Sequence, residues 1–256
     1  MTVRWETLEL HTRRPFGIAR WTHSTYPRTF VTFEAQGVTG RGEAAPNAFY
    51  GETGGTVAAV LPLLAPELTD GWDWDGLGER LDARMPGGHP SVKCALEMAA
   101  VEWAAGTAGV PVWRLLGLSP TPIPESSFTV SLAPLEEMRR EAREAVARGH
   151  GVLKVKLGTE ADEAILEALR GEAPGVALRV DANAAWTRSQ ARRMLGVLEA
   201  ARVELVEQPL AAGDLEGHAE LRRLSSLPLV ADESLHRVPD VPRLAGALLG
   251  FGRWVP

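Results

Sequence analysis

Apolar and polar positions alternate with a period of two in several short runs of this chain, and with a helical period in the stretches between them. Val3 to Leu10, Phe30 to Gln36 and Val38 to Ala44 read as strands, the last two joined through Gly37 as a hairpin. The polar segment from Arg13 to Arg28 is too long for a tight turn and is expected to be a loop. Pro46 to Glu52 is expected to be a second loop, of the kind that serves as a lid or binding element. Helical periodicity follows from Thr56 to Leu64, Asp75 to Met85, Pro90 to about Ala105, and Val110 to Leu116. Ser119-Pro120-Thr121-Pro122-Ile123-Pro124 continues neither pattern and marks a linker. It divides the chain into an α+β domain over 1–122 and a second domain over 123–256.

Beyond the linker the pattern repeats. Phe128 to Leu132, Val152 to Leu157, Val176 to Val180, Val203 to Val206 and Leu227 to Ala231 are short apolar, β-rich runs, each followed by a helical stretch. Gly149 stops the first of these helices, Thr159-x-x-Asp162 caps the second, and Thr187-x-x-Gln190 forms a capping box for the third. Five strand–helix units in succession predict an α/β fold with a parallel sheet, as a barrel or as a doubly wound sheet.

Two lysines stand out in the second of these strands. Leu153-Lys154-Val155-Lys156-Leu157 places both ammonium groups on one face and three apolar side chains on the other. Taken alone, that is an ordinary solvated strand face. Lys156, Asp181, Glu207 and Asp232, however, follow one another at intervals of 25, 26 and 25 residues, one βα unit each. In a parallel barrel, strand ends converge at the C-terminal mouth, where active sites form. Three carboxylates brought together there repel one another, and a bound cation relieves that repulsion. An all-oxygen ligand set favours a hard divalent ion, Mg²⁺ first and Mn²⁺ next.

Composition narrows the classes. The chain has 256 residues, 45% of them hydrophobic, and a net charge of −6, so it can bury a core and is a poor match to a general nucleic-acid binder. Cys94 is the single cysteine, which leaves no disulfide framework and no cysteine-based zinc site. Neither a signal peptide nor an apolar run long enough to span a bilayer is read in the sequence. A cytoplasmic protein without membrane or nucleic-acid partners is therefore expected.

The ordered motifs Lys154-x-Lys156, Val180-Asp181-Ala182-Asn183, Glu207-Gln208-Pro209-Leu210 and Ala231-Asp232-Glu233-Ser234 resemble those of the enolase superfamily, muconate-lactonizing subgroup. Gly42-Glu43-Ala44-Ala45-Pro46, Tyr50-Gly51-Glu52, Phe16-x-Ile18-Ala19-Arg20 and the Asp-Ala-Asn-x-x-Trp run ending at Trp186 resemble its L-Ala-D/L-Glu (dipeptide) epimerase branch. The resemblance implies an α+β capping domain over a modified (β/α)₇β barrel, with Asp181, Glu207 and Asp232 as Mg²⁺ ligands. It further implies a dipeptide or N-acyl amino acid as substrate. Arg20 would bind a glutamyl side-chain carboxylate, and Tyr50 and Thr129 would line the substrate pocket. Asn183 and Gln208 are expected as hydrogen-bond partners behind the ligands, Glu233 as an auxiliary residue, and His236 as a solvated loop histidine.

The expected chemistry is removal of the α-proton of a metal-bound carboxylate substrate through an enediolate. The charge that develops there needs electrostatic stabilisation. Lys156 is the expected base, with Lys154 and the ion lowering its proton affinity. The family supplies a second lysine on the opposite face, and this sequence has no lysine after Lys156. A closed barrel would also need three more strands, on the order of 75 residues at this repeat length. The expectation is thus a C-terminally truncated member, impaired as an epimerase, whose open sheet edge favours association into oligomers. Alternatives are an o-succinylbenzoate synthase, an N-acylamino-acid racemase, a muconate cycloisomerase, or a non-catalytic binding subunit.

Overall fold

Val31, Phe33 and Ala35 are buried while the residues between them are only half covered, which is what makes the second strand a strand with one core face. In this computed structural model, which describes residues 1–69 and 73–248, the first sheet has the order β1 (Thr2–Ile18), β2 (Trp21–Ala35), β3 (Val38–Ala44). β2 and β3 are antiparallel, and their two-residue turn places Gln36 and Gly37 at φ of 52° and 77°, the left-handed pair that suits a tight hairpin. The helices of this part are α1 (Gly54–Leu64), α2 (Leu77–Arg84), α3 (Pro90–Thr107) and α4 (Val112–Leu115). α3 lies against β3 with backbone close to backbone. A Cβ at Gly40 or Gly42 would stand 2.0 Å and 1.9 Å from the Ala99 and Ala95 carbonyl oxygens, so only glycine fits there. Trp103 seals the same contact, donating Nε1–H to the Ala35 carbonyl at 3.0 Å.

The expected loop from Arg13 to Arg28 is instead a β ribbon turning at Ala19-Arg20. Half of its sixteen residues are exposed and only Gly17 and Ile18 are buried, so the ribbon carries no sustained apolar alternation to be read. Chain contacts divide the molecule into two compact units. One comprises Met1–Arg13 and Ser24–Ile123; the other comprises Arg14–His23, the tip of the ribbon, together with Pro124–Pro256.

The second unit holds five parallel strands in sequential order: β4 (Phe128–Val130), β5 (Val152–Lys156), β6 (Ala177–Asp181), β7 (Val203–Glu207) and β8 (Leu229–Val230). Sequential order is that of a barrel wall; a doubly wound sheet reverses direction once. The connecting helices are α5 (Leu135–Ala147), α6 (Asp162–Glu172), α7 (Arg188–Ala200) and α8 (Leu215–Leu224), with α9 (Val241–Leu248) following the last strand. Leu153, Val155, Leu178 and Val180 pack in one core with Met138, Leu166, Leu169 and Leu198 from the helices. Each such fully buried side chain stabilises the fold by about 1.5–3 kcal/mol. This packing fixes which strand face is left for the lysines. Residues 249–256 lie outside the described residues.

Candidate active site

The two lysines of β5 stand on the face opposite Leu153 and Val155, as their alternation requires. Lys156 pairs in register with Asp181 on β6, and Asp181 with Glu207 on β7. The extra residue in the second interval is absorbed by an irregularity in the β6–β7 ladder between Leu178 and Arg179. The third step differs from the expectation of equivalent strand positions. Glu207 pairs with Val230, so Asp232 lies two residues beyond the register, after the end of β8. Asp181, Glu207 and Asp232 nevertheless converge, each offering an oxygen within 4.8 Å of the others.

The ammonium groups lie among these oxygens. Lys156 Nζ donates to Asp181 Oδ2 at 2.6 Å and to Asn183 Oδ1 at 3.1 Å. Lys154 Nζ bridges Glu207 Oε2 at 2.6 Å and Asp181 Oδ2 at 3.0 Å. Burial alone would pull the Lys154 ammonium down, but Asp181 and Glu207 outweigh it and hold the group above the ordinary lysine range. Burial likewise opposes ionisation of Asp181, and the two lysines outweigh it, so its carboxyl lies below the usual range. Glu207 is pushed up by burial and by Asp181, and Asp232 by burial, Glu233 and Asp181. The cluster thus holds more negative charge than two lysines neutralise. Its donor set is all oxygen, and two cationic groups already lie on it, so these residues fit a hard divalent cation.

The loops after the strands hold the ligands in place. Asn183 and Ala184 adopt φ of 47° and 62°, and the Asn183 N–H donates to Asp181 Oδ1 at 2.9 Å. Gln208 Oε1 accepts from the backbone N–H groups of both Asp232 and Ser234, at 2.9 and 3.1 Å. Its Nε2 donates to Ser234 Oγ and to the Leu210 carbonyl. Buried Asp162 accepts from the Gly158 and Thr159 N–H groups and from Trp186 Nε1 at 2.7 Å, tying the loop after β5 to the loop after β6.

Thr129 pairs with Lys154 across β4 and β5 and is half-buried. Arg20 forms an ion pair with Glu233 at 2.8 Å and donates to the Asn183 carbonyl. Tyr50 is an exposed residue of the first unit, edge-on to Phe49. His236 is exposed, its N–H donating to Asp240. Glu233, expected as auxiliary, is almost fully buried and joins Arg20 to Asn183. In the sequence it is marked by its place in the motif Ala231-Asp232-Glu233-Ser234.

The Enolase C-terminal domain-like family model matches residues 137–248. A hydrophobic dipeptide epimerase of Roseobacter litoralis is 34% identical over 253 residues, covering 94% of this chain and 71% of that protein. The chain belongs to the enolase superfamily. An L-Ala-D/L-Glu epimerase of Bacteroides thetaiotaomicron is 31% identical, covering 98% of the chain and 65% of that protein. Among solved structures, a dipeptide epimerase from Cytophaga hutchinsonii, complexed with Mg and D-Ala-L-Val, superposes with a TM-score of 0.89 at 27% identity. It is covered over 68% of its length, and this chain over 96%. This enolase-superfamily chain thus spans about two thirds of the length of these relatives, which are isomerases acting on dipeptides. Among the described residues, no helix is long and apolar enough to cross a membrane.

Proposed function

We propose that this chain carries the metal site and one base of a dipeptide epimerase, and that it removes the α-proton of the C-terminal residue of a dipeptide. The observation that carries the reading is the position of Lys156. Its Nζ lies 2.6 Å from a carboxylate of the three-acid cluster, so the base stands next to where a substrate carboxylate would meet a bound ion. Asp181, Glu207 and Asp232 would hold Mg²⁺, which when bound offsets the negative charge that grows on the substrate carboxylate as the proton leaves. Lys156 takes the proton from the α-carbon and returns it. Lys154 is a fixed positive charge beside the same carboxylate, and burial limits competing water at both lysines. Thr129, in register with Lys154, lines the floor of the site. Arg20 is the candidate for recognising an acidic substrate side chain.

Lys154 and Lys156 share one strand, and therefore serve one face of a planar intermediate. The expected activity of these residues is α-proton exchange with retention of configuration. Proton NMR in D₂O with Mg²⁺ tests this, using L-Ala-L-Glu, L-Ala-L-Leu and N-succinyl amino acids side by side. Exchange of the C-terminal α-proton of a dipeptide, abolished by EDTA, is the expected result. Faster exchange of N-succinyl amino acids would move the assignment to an acylamino-acid racemase. Full racemisation of L-Ala-L-Glu would overturn the one-face reading, and no exchange with any substrate together with no Mg²⁺ binding would overturn the assignment itself.

A further inference from the structure

Glu233 follows the third acid of the cluster directly, yet it is not part of the converging oxygen set. It is 2% exposed. Its Oε1 receives two donors, Arg20 Nη2 at 2.8 Å and Asn183 Nδ2 at 3.2 Å, while Oε2 is buried with no hydrogen-bond partner. A carboxylate this deep needs an opposite charge, which Arg20 supplies. Arg20 alone therefore accounts for burying Glu233. It does not account for the contact to Asn183.

The amide of Asn183 stands between two groups of opposite habit. On one side Nδ2 faces the Glu233 carboxylate, which only accepts hydrogen bonds; on the other Oδ1 faces Lys156 Nζ at 3.1 Å. One orientation of the amide satisfies both neighbours. A flipped amide would set oxygen against oxygen at Glu233, and would aim its NH₂ at the lysine.

The orientation matters because of how an amine acts as a base. Neutral Lys156 has two N–H bonds and one lone pair in tetrahedral directions. Asp181 Oδ2 and Asn183 Oδ1 are both acceptors, so each takes an N–H and the lone pair is left in the remaining direction. An Asn183 turned the other way would donate into that lone pair and occupy the base. We propose that Glu233 is a positioning residue of the proton-transfer site: it locks the Asn183 amide with its oxygen toward Lys156, and so keeps the Lys156 lone pair open to the substrate. This rests on Lys156 being the base, as proposed above.

Two readouts test it, one of which needs no substrate. The sequence has three lysines, so lysine labelled with ¹⁵N at Nζ gives three side-chain signals, assignable with a Lys156→Met variant. In Glu233→Gln the Lys156 Nζ protons should exchange with water about tenfold faster, as expected on weakening a charge-assisted bond, with those of Lys93 unchanged. In the D₂O assay with Mg²⁺, kcat for α-proton exchange should fall by about tenfold or more, with KM and the calorimetric Mg²⁺ affinity held within about twofold. In an Asn183→Leu background, Glu233→Gln should add less than about a twofold loss, because its effect passes through Asn183. Glu233→Asp, which keeps the charge but draws the oxygens back, serves if the glutamine variant does not fold. Unchanged lysine exchange and kcat would overturn the proposal. So would an undiminished Glu233→Gln effect in the Asn183→Leu background, or a parallel rise in KM and loss of Mg²⁺. If the unaltered protein exchanges no α-proton, the functional reading fails and the lysine signals alone decide the positioning.

Discussion

Lys154→Met should act in opposite directions on the metal-free fold and on metal binding. The Lys154 ammonium touches Glu207 at 2.6 Å and Asp181 at 3.0 Å, with side-chain exposures of 23%, 16% and 0% for the three groups. Removing one partner of a fully buried pair costs about 3–5 kcal/mol, and the partial exposure of Lys154 trims this to about 2–3 kcal/mol. In the presence of EDTA the variant should therefore melt lower. A divalent cation, however, needs the same oxygens that Lys154 holds, and like charges oppose each other there. Two unit charges 5 Å apart interact by about 3 kcal/mol at an effective dielectric constant of 20. Solvent at a half-open mouth reduces this, so removal of Lys154 should favour the ion by about 1–3 kcal/mol, or about 5–150-fold in affinity. Calorimetric titration of Mg²⁺ into metal-free protein, with melting curves in EDTA and in Mg²⁺, measures both effects. Tighter Mg²⁺ binding with a lowered metal-free melting point is expected, the two curves drawing together in Mg²⁺. Equal or weaker binding would show that lysine and ion do not share those oxygens, and the reading of the cluster as a cation site would lose its physical basis.

Asp162→Asn replaces an acceptor-only group with one bearing a donor, so the Asn amide meets Trp186 Nε1–H or the loop N–H groups with the wrong polarity. Two charge-assisted bonds lost or inverted give an expected destabilisation of about 3–5 kcal/mol in urea unfolding, and a value under about 1 kcal/mol would refute the role given to Asp162. Gly158→Ala should cost more than about 2 kcal/mol, since its φ of 108° disfavours a side chain and a Cβ would stand 2.6 Å from Ala185 Cβ and 2.8 Å from Ala19 Cβ. Burial lowers the His218 imidazole below its ordinary value of about 6.5, despite the Asp214 carbonyl at 2.7 Å. A group that binds its proton less readily when folded lends stability above the unfolded value and loses it as pH falls through the folded one. Stability should thus decline as pH drops below about 6.5, and His218→Asn should flatten that part of the profile; an unchanged slope would assign the decline to other groups.

The fold was legible where one face of an element is buried and the other is not. The alternation of β5, the periodicity of α3, and the capping box of Thr187 with Gln190 at the start of α7 all follow directly from residue order. The ribbon from Arg13 to Arg28 did not, because only Gly17 and Ile18 of its sixteen residues are buried and no apolar period runs along it. Whether the parallel strands form a barrel wall or a doubly wound sheet was also open in the strand pattern. That choice lies in which strands neighbour each other, a tertiary fact that local periodicity does not encode.

At the site, the even spacing of the acids was a sound guide for a partly mistaken reason. Lys156, Asp181 and Glu207 stand in true register, and the 26-residue interval marks an irregularity in the ladder between β6 and β7. The final 25-residue interval is not a register step, since Asp232 lies two residues past the partner of Glu207. Residues two apart on an extended chain project to the same side, so parity brings Asp232 to the correct face but leaves it beyond the end of β8. What returns it to the cluster is Gln208, the residue after Glu207, whose φ of 36° departs from the strand. Its side-chain Oε1 takes the N–H of Asp232 and of Ser234 together, drawing the outgoing loop back over β7. Gln208 is itself held by Ser234 Oγ and the Leu210 carbonyl, and it lies 3.4 Å from His218 on α8. The third acid is therefore placed by an uncharged amide on the neighbouring strand. Loss of that amide should loosen Asp232 before it disturbs Asp181 or Glu207, which their own ladder holds.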